Sequence, residues 1–324
     1  MKKVIFIFTI ILFANNIYSA NIEKQYKKLI EKLDVAEEVK NVKSNKPSAF
    51  WEAVINNNAS YAKFLKDIKK NKCAEKEALN KIAQIYRYYP EYDGSIIEKM
   101  QGFCDTLMIC VGIDNLGINC SLHVVSSYEV NAYTVLTEKG FAMCLTTGLI
   151  SLKNLTYEML MGYVAHEFVH GALLHQVRAF YAQAKERRKN QLWGGIAIAL
   201  NGFAAGMESY NAAAYGIPTS GINYGANIAN IGNDIKTTTL KHSFKYSREQ
   251  EFEADLIAFR FLEHLGLGYE FIRGLYLLGT TYDQLYNDYS DHPTTKSRID
   301  FLKYVQAHPD LGNKDSLKKH KSTK

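Results

Sequence analysis

With 324 residues, 47% of them hydrophobic and 22% charged, the chain has enough apolar material to bury a proper core, which excludes a disordered, purely solvated polypeptide. The formal net charge of +6 is modest and no nucleic-acid motif accompanies it, so nucleic acid is not an expected partner. Much of the charge sits in the tail "NKDSLKKHKSTK" and in lysine-rich N-terminal segments, where a solvated surface is the first expectation and weak peripheral attraction to anionic membrane lipids the second.

The opening "MKKVIFIFTIILFANNIYSA" combines Lys2 and Lys3, an apolar run from Val4 to Ala14 and a small-residue end at Ser19 or Ala20. This is the layout of a secretory signal peptide over 1–20, favoured over a retained anchor because the apolar part is short for a bilayer. The chain is therefore expected to be exported to the periplasm, with association at a membrane surface as the second expectation. In an oxidising compartment Cys73, Cys104, Cys110, Cys120 and Cys144 are expected to give one or two disulfides and a leftover thiol.

Residues 21–115 read as a helical N-terminal region, with apolar residues at three- and four-residue spacing, as in "EKEALNKIAQIYRYY". The domain expected to carry the chemistry spans 116–310, and a basic tail follows over 311–324. That domain begins with a Val-, Thr- and Tyr-rich stretch, "INCSLHVVSSYEVNAYTVLTEKGFAMCLTTGLI", which predicts two or three short strands including a hairpin turned at "EKG". A helix follows, capped by Asn154 or Thr156 and running through His175 toward "AFYAQAKERRKN". Residues 193–233 are rich in Gly and Ala and are read as closely packed helices, ahead of a mobile lid or a membrane-touching surface. A second strong helix opens at "YSREQEFEAD", where Ser247 and Gln250 form a capping box and Gly266 is the C-terminal stop. A Pro-marked loop, "SDHPTTKSRI", leads into the last helix. The fold class is α+β, predominantly helical, with a small mixed or antiparallel sheet.

The stretch "YVAHEFVHGALLH" places two histidines and a glutamate in an oily helix, where each unpaired polar group costs roughly 2–7 kcal/mol. At about 100° per residue His166 and His170 lie about 40° apart on one helix face, so both imidazoles can reach a single ion. Zn2+ suits them, one per chain, and a catalytic zinc takes three protein ligands with one position left open. Glu167 can take a proton from the attacking water.

A histidine six residues after His170 would complete one common ligand set, but that position is Gln176. His175 lies about 140° from His170 on a continuing helix and is assigned to structure. The other common solution is a glutamate from a later helix. "EFEAD" offers Glu251 as ligand and Asp255 to orient an imidazole or an arginine, with Glu253 turned away from both.

With these motifs in order, "NAYTV" and "TTGLI", then "HEFVH", then "SREQEFEAD", then "DHPTTKSRI", the chain resembles the zinc metallopeptidases of the HtpX and CAAX prenyl protease type, within the gluzincins, over about residues 118 to 305. The resemblance implies a zincin-like fold, His166, His170 and Glu251 as zinc ligands, and Glu167 as general base. It also implies that Asp255 pairs with Arg298, that the strand at Asn131 and Ala132 lines the cleft, and that His292 stands near the metal and helps to stabilise an oxyanion. Without long apolar spans, the chain is most similar to soluble periplasmic quality-control proteases, whose substrates would be unfolded or misassembled envelope proteins. The alternative is a latent or chaperone-like client-binding protein whose zinc site is closed by His292.

Overall fold

The computed structural model describes residues 22–33, 46–88, 95–137, 139–192, 248–282, 294–309 and 311. The leader, Ser247, the Gly/Ala-rich segment 193–233, His292 and the basic tail from 312 lie outside the described residues. The chain divides into two compact units, one of residues 1–64, 94–175 and 246–324, the other of residues 65–93 and 176–245.

In chain order the elements are helix α1 (22–33), α2 (Pro47–Asn57), α3 (Ala59–Lys70), α4 (Lys72–Tyr88), α5 (Gln101–Val111), strands β1 (Cys120–Val125), β2 (Ala132–Leu136) and β3 (Phe141–Thr146), and helices α6 (Thr147–Ile150), α7 (Tyr157–Ala172), α8 (His175–Leu192), α9 (Arg248–His264), α10 (Gly268–Tyr282) and α11 (Thr295–Ala307). This is the expected helical α+β class. The sheet is mixed, in the order β1-β3-β2. Strand β2 pairs antiparallel to β3, with Thr134 opposite Met143, while β1 joins the far side of β3 in parallel, with Leu122 opposite Met143. Strand β3 is buried along its whole length, as a central strand covered on both faces must be.

Helix α7 is the centre of the first unit. Thr156 caps it, accepting a hydrogen bond from the Met159 N–H at 3.3 Å, and every residue from Met159 to Gly171 is buried. A helix without a solvent face needs cover all round, and α5, α9, α10, β2 and β3 supply it. Two glycines permit the close approach. A Cβ on Gly162 would stand 2.7 Å from Phe271 Cδ2 on α10, and one on Gly171 would stand 2.3 Å from Phe141 Cδ2 on β3.

Aromatic rings tie the N-terminal region to this centre. Trp51 of α2 stacks on Phe261 of α9 with centroids 4.7 Å apart, meets Phe168 of α7 edge-on at 5.0 Å, and donates its indole N–H to the Val111 carbonyl at 2.8 Å. Tyr26 of α1 packs against Phe252 and Phe301, and Lys32 pairs with Glu249 at the start of α9. Within the second unit, Lys185 of α8 pairs with Asp67 at 2.6 Å; exposed pairs of this kind contribute about 1 kcal/mol or less.

Two expectations change. The helix predicted to run unbroken through His175 ends at Ala172, turns through Leu173 and Leu174, and restarts at His175. Leu174 adopts a left-handed φ of 52°, which a helix cannot continue through. The cysteines form no disulfide: all five are free. Cys104 and Cys144 are buried in α5 and β3, where they pack as small apolar side chains. Gly266 does follow the end of α9, at φ 76°; the expected capping box with Ser247 lies outside the described residues, and the Gln250 side-chain amide donates to the His175 carbonyl at 2.7 Å.

The Phe141 ring is itself enclosed, so Gly171→Ala has little room to relax. It should destabilise the protein by about 1–3 kcal/mol, the usual cost of overpacking. Urea unfolding reads this directly, and an unchanged midpoint would contradict the close approach of α7 to β3.

Candidate metal centre

Helices α7 and α9 lie side by side, and the register of each puts its polar residues on the shared seam. His166 and His170, one turn apart, bring their Nε2 atoms to 3.1 Å. Glu251 reaches across from α9, with Oε2 3.5 Å from His166 Nε2 and Oε1 3.6 Å from His170 Nε2. All three are buried, and their ligand atoms lie within 4.8 Å of one another.

This donor set fits an ion. Two ligands at about 2.0–2.1 Å from a tetrahedral zinc stand about 3.3–3.4 Å apart, and the three separations of 3.1, 3.5 and 3.6 Å bracket that value. The charge balance agrees. Glu167, Glu251, Glu253 and Asp255 are all buried near the seam beside a single guanidinium, that of Arg298, and a divalent cation is a suitable partner for such a concentration of buried carboxyl groups.

Around His166 the second line of contacts is complete. Its Nδ1 is 3.0 Å from Asp255 Oδ1, and Asp255 accepts two hydrogen bonds from Arg298 of α11, from Nη2 at 2.6 Å and from Nε at 2.8 Å. Burial opposes ionisation of Asp255, but the Arg298 charge and its two hydrogen bonds outweigh burial and hold the carboxyl below its usual range. Burial and Arg298 likewise oppose a charge on His166. Hydrogen bonds to Asp255 and Glu251 prevail, raising its pKa to about 9 before an ion binds.

Glu167 points its carboxylate at Thr134 of β2, whose hydroxyl lies 2.9 Å from Oε2 and 2.7 Å from the Glu167 carbonyl oxygen. Strand β2 is the last in the sheet order, so one of its edges pairs with no other strand among the described residues. Asn131, just before it, is half-buried and tied by its backbone to Thr146, its N–H donating to Oγ1 at 3.1 Å and its carbonyl accepting the Thr146 N–H at 3.1 Å. Ala132 pairs with Leu145.

Thus His166, His170, Glu251, Asp255 and Arg298 lie together in the structure, with Glu167 beside the first histidine. Residues that sequence reasoning missed or set aside are Thr134, whose alternating strand position gave no chemical signal, and His175 and Glu253. The break at Leu174 swings His175 back to His170, with their Nδ1 atoms 2.9 Å apart. Glu253 does turn away from the ligand atoms, but toward His175, 3.3 Å from its Nε2. Burial pushes the Cys104 and Cys120 thiols up to about 11 and Cys144 still higher, which disfavours thiolate at these three positions.

A profile described as Peptidase family M48 matches residues 107–306, more than half of the chain. No curated protein matches it.

Because a ligand imidazole must be deprotonated to coordinate and His166 holds its proton up to about pH 9, zinc uptake at pH 7 should release a proton. Lowering the pH favours the proton over the ion, so apparent affinity should fall by up to about tenfold per pH unit below 9 for this one group. Calorimetric titration in buffers of different ionisation enthalpy measures the release; uptake without a proton at pH 7 would contradict the assignment.

Proposed function

Because the chain belongs to peptidase family M48, and is thereby a zinc metallopeptidase, we propose that His166, His170 and Glu251 are its metal ligands and Glu167 its general base. The observation that carries this reading is the convergence of three buried ligand atoms from two helices within 4.8 Å. Zinc held there would supply Lewis-acid polarisation of a peptide carbonyl and would lower the pKa of a water.

The chain's own residues do the rest. Asp255, anchored by Arg298, accepts the His166 Nδ1 proton and leaves Nε2 as the donor atom. Glu167 takes the proton of the attacking water and passes it to the leaving amine nitrogen. Thr134, donating to that carboxylate at 2.9 Å, holds it in place and keeps one of its oxygens engaged. Asn131 and Ala132 open an edge strand beside α7, a surface to which an extended peptide can add by backbone hydrogen bonds. His292 would donate to the oxyanion, an assignment supported only by the motif "DHPTT".

An edge strand reads backbone before side chain and accepts a segment in extended conformation, which an unfolded chain offers readily. This supports endopeptidase action on unfolded or misassembled envelope proteins, that is, protein quality control. Export to the periplasm is proposed from the leader pattern of residues 1–20 alone. Among the described residues no helix is long and apolar enough to cross a membrane.

Glu167→Gln should retain zinc while lowering peptide cleavage by about 10²–10⁴-fold, the contribution of a positioned general base. Metal analysis beside cleavage of an unfolded protein substrate tests it, and undiminished turnover with bound zinc would remove Glu167 from the mechanism. Mass spectrometry of secreted and retained protein should find a new N-terminus after Ser19 or Ala20; an intact Met1 throughout would overturn the cleavable leader.

A further inference from the structure

The two ligand histidines are supported differently. His166 is backed directly by a carboxylate, whereas the Nδ1 of His170 meets another imidazole, that of His175, at 2.9 Å. Behind His175 stands Glu253, with Oε2 3.3 Å from Nε2. Asn58 donates to Glu253 Oε1 at 3.0 Å, and the Tyr61 N–H donates to Asn58 Oδ1 at 2.7 Å. His170, His175, Glu253 and Asn58 are all buried.

Only one arrangement of protons suits this line and also frees a lone pair for an ion. Asn58 donates to Glu253 Oε1, and the other carboxylate oxygen faces His175 Nε2 at 3.3 Å, where a group that only accepts favours a proton on that nitrogen. A proton held on His175 Nε2 leaves its Nδ1 as an acceptor, so it receives the His170 Nδ1 proton. His170 Nε2, on the side facing His166 and Glu251, is then the unprotonated atom. The opposite tautomer of His175 would donate to His170 Nδ1 and force the His170 proton onto Nε2, where it would block coordination. We propose that Glu253, acting through His175, is a positioning residue that selects the metal-binding tautomer of His170.

The backbone argues for more than packing. His175 reaches His170 only because Leu174 takes a left-handed φ of 52°, a conformation that costs a non-glycine residue about 1 kcal/mol or more and that gathers at functional sites. The Gln250 amide, one residue from Glu251, then fixes the new helix start by donating to the His175 carbonyl at 2.7 Å. Helix α9 thus supplies a metal ligand in Glu251 and, two residues on, the far end of the line that orients a ligand of α7.

This inference rests on the metal-site reading above, and the experiment separates the two. Zinc dissociation constants of the full chain are measured at fixed pH by competition with a chromophoric chelator, for wild type, Glu253→Gln, His175→Ala, His175→Gln and the double variant Glu253→Gln/His175→Ala. Thermal unfolding of each metal-free form is recorded alongside. Glu253→Gln and His175→Ala should each weaken zinc binding by about 10–100-fold, as loss of such supporting partners does. The double variant should bind no more weakly than His175→Ala alone, because both changes act through one imidazole. His175→Gln, whose amide oxygen can still accept the His170 proton, should recover much of the loss. A merely structural role would lower melting temperatures while leaving every dissociation constant within about twofold of wild type, and that result, or additive losses, would overturn the proposal. If Glu253→Gln fails to fold, the two His175 variants decide: equal affinity for His175→Ala and wild type overturns it. A wild-type chain that takes up no zinc would instead overturn the metal-site reading itself.

Discussion

The pairing of Asp255 with Arg298 across α9 and α11, and of both with His166 on α7, is the interaction on which the centre depends. Two hydrogen bonds of 2.6 and 2.8 Å let a carboxylate stay ionised with no solvent exposure, which it could not do alone in an apolar interior. With Asp255 ionised, His166 has a fixed acceptor at Nδ1 and turns Nε2 toward His170 and Glu251. Remove the guanidinium and a buried charge is stranded, at a cost of about 3–5 kcal/mol, so the arginine supports the fold as much as the site.

That polar seam exists because the surroundings hold it rigidly. Helix α7 is buried on every face, and its neighbours approach closely at Gly162 and Gly171, so its side chains have few alternative rotamers. Trp51, from a helix far upstream of the family match, wedges between Phe168 and Phe261 and so fixes the spacing of the helices that carry the histidines and the glutamates. Asn58, at the end of that same α2, reaches Glu253. Helix α2 is therefore packed into the first unit against α7 and α9.

The chemistry divides along the same lines. Helix α7 carries the imidazoles and Glu167, α9 carries carboxylates, and β2 contributes both Thr134 and an edge. Each carboxylate has a separate task because each meets a different partner: Glu251 the two imidazoles, Asp255 a guanidinium, Glu167 a hydroxyl, Glu253 an imidazole and an amide. In α9 the three acids of "EFEAD" alternate between two faces, so Glu251 and Asp255 meet His166 while Glu253 meets His175.

How much of this was legible without coordinates follows from sequence separation. The i, i+4 spacing of His166 and His170 and of Glu251 and Asp255 is a property of the helix itself, so periodicity and local motif determined the helical α+β class and which of these polar groups share a helix face, while the cap, left between Asn154 and Thr156, was decided by the structure in favour of Thr156. Thr134 to Glu167, Asn58 to Glu253 and Gln250 to His175 join residues 33, 195 and 75 positions apart, and nothing local announces them. Helix periodicity placed His175 on the wrong side of α7, because it assumes a continuous helix; only the tertiary contacts around Leu174 impose the left-handed turn that brings it back. Likewise five cysteines suggested disulfides, but packing decided that Cys104 and Cys144 lie buried as separate apolar side chains. A local pattern specifies which groups can share a face; which faces meet is decided by the burial of the whole core, a non-local sum that no short stretch contains.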